Sequence, residues 1–266
     1  HAIGTAGRLY YGKDNKIKFE PDGDARPILR FPHRKEDNLE GAIVLYEGPY
    51  RNQEGQTPHN LYVVCHDPYG QNQSADSSSL GAAYVIKRIN NISKPDDLIV
   101  ASYVGRPHTQ DEYNKNLFML ADYYNAKIGF ENDRGAVIQY ARQHRKLHRL
   151  QEEFEMLDKK ELRSRNVKRN YGMHTTEARK RQGELYIRDW LNAVRSDDGD
   201  TITLNLHKIY DLALLQELIK FNHRGNFDRV MALMIGMYHT RELYNAEVKE
   251  IIEDNSSNEW FDKNYY

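Results

Sequence analysis

The sequence predicts an α/β protein in which helices flank a mixed β-sheet, and three observations carry that expectation. Three apolar, β-rich runs at residues 61–65, 82–86 and 98–103 follow one another, punctuated by Gly, Asn, Ser and Pro. A helix, a fourth short strand and a second helix come next. Further along, residues 185–194, 210–221 and 227–244 carry apolar side chains at helical spacing. Strands in a meander, then helix, strand and helix, describe a sheet with helices packed over it.

Taken in order, residues 1–58 are polar, hold several Gly and Pro, and contain two short strand-like runs at 28–31 and 42–46; they read as a linker-like segment. The first strand of the main domain, expected to span residues 59–246, ends in the apolar run 61–66 and is followed at once by Asp67. The runs at 82–86 and 98–103 continue a meander because their connections are short. Within residues 111–124, Leu117, Leu120, Ala121 and Tyr124 share one helical face. Residues 127–130 form a short strand that leads directly into Glu131, and a helix is expected from about Gly135. The long helix over 227–244 is largely apolar, with Met231, Met234 and Met237 as core fillers. After Glu247 the chain turns acidic and polar, and residues 247–266 read as a flexible tail.

Composition narrows the function classes. The 38 Lys and Arg nearly cancel 39 Asp and Glu, so the molecule is no polycation and any nucleic-acid affinity has to come from a local patch. The single cysteine, Cys65, excludes an internal disulfide framework and a multi-Cys zinc site, in keeping with a reducing cytoplasm. No stretch reaches the roughly 18 consecutive apolar residues of a membrane span, and the expectation is a soluble protein. The local patch is visible: residues 142–181 hold 13 Lys or Arg against 6 Asp or Glu.

Three acids attract chemistry. Asp67 and Glu131 each sit at the carboxyl end of an expected strand, where ligand sites of open α/β sheets lie; if those strands are parallel neighbours, the carboxylates converge. Asp228 opens the last apolar helix, whose N-terminus favours an anion. Carboxylates crowded together repel unless a cation lies between them, and hard oxygen donors select Mg²⁺ or Mn²⁺. Two such ions support phosphodiester hydrolysis. Singly, each acid is as readily a turn former or a helix cap.

Five segments in order resemble the nuclease domain of tailed-phage terminase large subunits. They are "YVVCHDPYGQNQSADSSSLGAAYVI" at 62–86, "IGFENDRG" at 128–135, "YGMHTT" at 171–176 with Lys180, "LLQEL" at 214–218 and "NFDRVMALMIGMY" at 226–238. The resemblance implies an RNase H-like fold and a two-metal endonuclease that cuts concatemeric viral DNA during genome packaging in the cytoplasm of a bacterial host. By position it makes Asp67, Glu131 and Asp228 the catalytic, metal-holding acids, with Asp76 as an auxiliary metal ligand. Double-stranded DNA is the implied substrate, and the phage portal and small terminase subunit the implied partners. The packaging ATPase of a full terminase is expected to lie outside this chain. Where the family often pairs two Asp at its third motif, Phe227 precedes Asp228 here.

Rival signals weigh less. Residues 7–13, "GRLYYGK", match the start of a phosphate-loop pattern, but Asp14 stands where Ser or Thr must hold magnesium. His144 and His148 are four apart but lack a third zinc ligand, and His223 is five residues from Asp228. The basic stretch reads as a DNA-facing surface that contacts phosphates without reading sequence, through Lys168, Arg169, Arg179, Lys180 and Arg181, with Arg134 ahead of it as a further DNA contact. Two other readings stay open: a different RNase H-like nuclease, such as a junction resolvase or integrase-type enzyme, and a non-catalytic module that binds DNA or the portal.

Overall fold

Strand β4 (Tyr62–Asp67) is the strand from which the architecture builds, because it is buried along its whole length and pairs with neighbours of both senses. The computed structural model describes residues 4–69, 79–88, 97–132, 135–154, 171–222 and 225–264, with side chains of the last helix described to residue 247. From β4 the chain turns back through β5 (Gly81–Lys87) and again through β6 (Leu98–Gly105), an antiparallel meander. Helix α1 (Gln110–Tyr123) then carries it over one face of the sheet to β7 (Lys127–Phe130), which lies parallel to β4 with His66 opposite Phe130. A crossover helix is what a parallel return in one sheet requires.

The sheet has seven strands in the order β2-β1-β3-β6-β5-β4-β7, where β1 is Thr5–Tyr11, β2 is Ile17–Pro21 and β3 is Ala42–Leu45. Residues 42–46 are thus read correctly as strand, but 28–31 form none, and the segment expected as a linker extends the same sheet. Its strands escaped notice because β1 and β2 are half solvated near the edge, so polar residues interrupt their apolar pattern. Gly7 lies inside β1 opposite Pro21, so the phosphate-loop look-alike is a strand and the turn after it.

Alternation along β4 divides the core. Tyr62 and Val64 face α1 and α2 (Ala136–Gln143), among Leu117, Leu120 and Tyr140. Val63 and Cys65 face the other layer, built from α3 (Glu177–Asn192), α4 (Leu212–Lys220) and α5 (Asp228–Asn264). Burial on both faces explains why β4 to β6 read as continuous apolar runs rather than alternating ones. Burial pushes the Cys65 thiol up to about 12, as a packing residue. A small hairpin, β8 (Val194–Asp197) with β9 (Ile202–Leu204), follows α3. Helix α5 runs on through Asn264, so the segment expected as a tail continues it. Among the described residues no helix is long and apolar enough to cross a membrane.

Helix ends follow local chemistry. Thr109 Oγ1 accepts from Glu112 N at 3.1 Å while the Glu112 carboxylate accepts from Thr109 N at 3.3 Å, a capping box for α1. Asp211 Oδ1 accepts from Ala213 N and Leu214 N at 2.9 and 3.1 Å and caps α4. Close approach, in turn, is bought by glycine. A Cβ on Gly236 of α5 would stand 2.5 Å from Ile86 Cδ1 and 2.9 Å from Cys65 Sγ. Gly236→Ala is therefore expected to cost about 1–3 kcal/mol by overpacking, read as a lowered urea midpoint; an unchanged midpoint would show that α5 has slack against the sheet.

Candidate active site

Parity decides which face Asp67 serves. It follows Val63 and Cys65 at two-residue intervals and so turns towards the α5 side, at the carboxyl end of β4. Glu131 follows the parallel neighbour β7, and its backbone N–H donates to His66 O at 3.2 Å, which ties it to the end of β4. Met173 pairs beyond it, accepting from Asn132 N at 2.9 Å. Asp228 is the first residue of α5 and comes back over the same edge. All three acids line one pocket of about 260 Å³, together with Ser79, Lys180, Asn226 and Met231.

The electrostatics record the crowding. Burial, then the charges of Asp228 and Glu131, push the Asp67 carboxyl well above the ordinary value of 3.8. A hydrogen bond shared with Glu131 acts in the same direction. Burial also raises Asp228, to about 6, against the pull of its hydrogen-bond donors. Those donors are Leu80 N at 2.8 Å and Asn226 Nδ2 at 3.2 Å to Oδ2, and Ser79 Oγ at 3.1 Å to Oδ1. Ser79 is itself held by Arg106, whose Nη1 donates to its carbonyl at 2.8 Å. His66 between the two sheet ends stays neutral, because burial lowers it to about 4.

The donor set is carboxylate oxygen, the chemistry that hard divalent cations take. The arrangement is not a finished ligand set: among the described residues, no three His, Cys, Asp or Glu side chains are grouped to hold a metal. Both Asp228 oxygens are engaged by the loop before β5 and by Asn226. The residues fit a divalent cation in donor type and in shared charge, with Asp228 the side chain that has to turn.

Of the basic residues expected at the DNA surface, Lys180 lines the acid pocket, with Nζ 3.5 Å from Glu177. Arg181 is exposed. Arg179 goes the other way: it is 8% exposed, and its Nη1 donates to His174 O at 2.5 Å, because its place on α3 faces the core. Asp76, Arg134, Lys168, Arg169 and His223 lie outside the described residues.

Sequence reasoning missed a buried set behind Asp228. Arg229 Nη1 donates to Glu217 Oε1 at 2.9 Å, its Nη2 to Ile28 O at 2.8 Å, and its Nε lies 3.6 Å from Asp211 Oδ2. Tyr84 OH donates to the same Asp211 oxygen at 2.7 Å. The available signal was an acid and an Arg inside helices too apolar to leave them solvated, Glu217 in "LLQEL" and Arg229 in "FDRVMAL".

A mixed sheet ordered β6-β5-β4-β7, with β7 alone parallel to β4 and acids at the ends of both, is an RNase H-like α/β arrangement. No family model matches the chain, and no curated protein does. Among solved structures, the chain is similar to the large terminase nuclease from thermophilic phage G20c with bound zinc. That likeness has 13% identity and a TM-score of 0.43, and covers 79% of this chain and 91% of that one. A further crystal structure of the G20c large terminase nuclease gives 14% identity and a TM-score of 0.35, again over 79% and 91%.

Proposed function

We propose that this chain is a divalent-metal-dependent endonuclease that hydrolyses phosphodiesters of double-stranded DNA. One observation carries the reading: acids separated by 64 and 97 residues in the chain, Asp67, Glu131 and Asp228, meet in one pocket at the ends of parallel β4 and β7. A carboxyl raised by burial and by two crowding acids is a group arranged for a cation. When bound, a pair of Mg²⁺ or Mn²⁺ ions supplies activation of water and neutralisation of charge at the leaving oxygen.

The chain's own residues bind and orient. Asp67, deepest of the three, and Glu131 would hold the cations through their carboxylate oxygens. Asp228 would be the third holder, while Arg106 keeps the loop behind it in place. Lys180 contacts the scissile or adjacent phosphate as a point charge, without reading the bases. With exposed Arg181 it forms the start of a phosphate footprint on α3. On this reading the cut serves viral genome packaging in a bacterial host cell, with the portal and small terminase subunit as partners, a role supported by the resemblance of five sequence segments alone.

Plasmid nicking tests the reading. Supercoiled DNA is relaxed in Mn²⁺ or Mg²⁺, and excess chelator stops it; persistence in chelator removes the metal from the reaction. Lys180→Ala is expected to weaken duplex binding by about 1 kcal/mol, roughly fivefold, and to lower the magnitude of the salt slope by about 1, measured by fluorescence anisotropy from 50 to 200 mM salt. An unaltered salt slope would remove Lys180 from the footprint.

A further inference from the structure

The N-terminus of α5 has a capping problem that its own sequence does not solve. The first turn of any helix leaves backbone N–H groups without intrahelical partners, and a polar side chain just before the helix ordinarily accepts from them. Here that position is Phe227, whose ring packs on Phe31 and Phe221 with centroids 5.3 Å away in each case. Asn226 is turned to Asp228. The acceptor comes from another helix: Glu217 Oε2, near the end of α4, receives Arg229 N at 3.0 Å and Val230 N at 3.2 Å. Its other oxygen takes Arg229 Nη1, so both oxygens are engaged and the side chain is 2% exposed.

We propose that Glu217 is a positioning residue for Asp228, capping the first turn of α5 from the neighbouring helix and so fixing where the Asp228 carboxylate enters the pocket. The first intrahelical bond, Met231 N to Phe227 O at 2.9 Å, begins only beyond the two N–H groups that Glu217 holds. Without that acceptor, the turn that carries residue 228 keeps the ring packing at Phe227 but loses its cap, and the carboxylate's bonds to Ser79, Leu80 and Asn226 then rest on a frayed turn that samples several directions. A charged acceptor at a helix N-terminus also gains from the helix dipole, so the task suits Glu better than Gln. Arg229 is the counter-charge that favours the ionised carboxylate against the burial at that depth. The inference deepens the nuclease reading and takes its functional meaning from it, but the geometry it concerns exists in the metal-free protein.

The test reads that geometry directly. Leu80 N–H donates to Asp228 Oδ2, so amide hydrogen exchange of Leu80, followed by NMR on the full chain without metal, reports whether Asp228 is held. Val85, in the middle of β5, reports opening of the sheet as a whole. Glu217→Ala is expected to speed Leu80 exchange about tenfold more than it speeds Val85 exchange, the loss of one hydrogen bond to a charged acceptor. Glu217→Gln, which retains a carbonyl acceptor, restores most of the protection. If Glu217→Ala does not fold, Glu217→Asp keeps the charge beside Arg229, shortens its reach and carries the same expectation. Equal changes at Leu80 and Val85, or none at Leu80, overturn the proposal and leave Glu217 a structural residue. Plasmid nicking in Mn²⁺ is run alongside: a selective Leu80 effect in a protein that never nicks DNA upholds the positioning and rejects the nuclease reading.

Discussion

Asp67→Asn is expected to reduce Mn²⁺-dependent plasmid nicking to on the order of a thousandth of wild type or less, the scale on which preorganised transition-state stabilisers act. The same substitution should make the metal-free protein more stable at neutral pH, which separates it from ordinary core damage. In the folded chain the Asp67 carboxyl is pushed above 3.8 by burial and by Asp228 and Glu131, so the folded state holds this proton more tightly than the unfolded one. The stability this gives is complete below 3.8 and drains away as pH rises through the folded value. Asn stays neutral at every pH and loses nothing. Thermal melts of both proteins from pH 4 to 8 show this as a falling wild-type curve, flatter in the variant. Mn²⁺ should raise the wild-type midpoint at pH 8 and leave the variant unmoved. A variant that still nicks DNA would remove Asp67 from the reaction.

Arg229→Met is expected to be the most destabilising single change in the layer behind the pocket, at about 3–5 kcal/mol. It strands two buried carboxylates, Glu217 at 2.9 Å and Asp211 at 3.6 Å, beside an apolar side chain. Glu217 already has its carboxyl raised to about 7 by burial, in spite of the guanidinium, so the variant should regain part of its stability as pH falls and Glu217 is neutralised. The double substitution Arg229→Met with Glu217→Gln should recover much of the loss, since it is the unpaired charge rather than the missing pair that costs most. Urea denaturation at pH 5 and pH 7.5 checks both statements. A loss below about 1 kcal/mol at neutral pH would mean that water reaches the site and screens it.

Much of the architecture was legible because it is written in local pattern. The apolar runs became β4, β5, β6 and β7, and the capping box at Thr109 and Glu112 marks the start of α1 in plain sequence. The condition set for Asp67 and Glu131, that their strands be parallel neighbours, is met. Strands β1 and β2 were illegible for the opposite reason: they owe their form to partners rather than to their own periodicity. Arg179 shows the limit at one residue. Its neighbours Lys180 and Arg181 share its charge, yet a turn of about 100° per residue on α3 sends one to the core, one to the pocket and one to solvent.

Sequence by itself determined the kind of layers, the succession of the core strands along the chain and the acids at two strand ends, since each depends on residues within a few positions of one another. Tertiary structure alone decided that β1 to β3 extend the sheet, that Leu80 holds Asp228 across 148 residues, and that Glu217 caps a helix other than its own. Those outcomes rest on hydrogen bonds between groups far apart in the chain, and their geometry exists only once the sheet and α5 have packed.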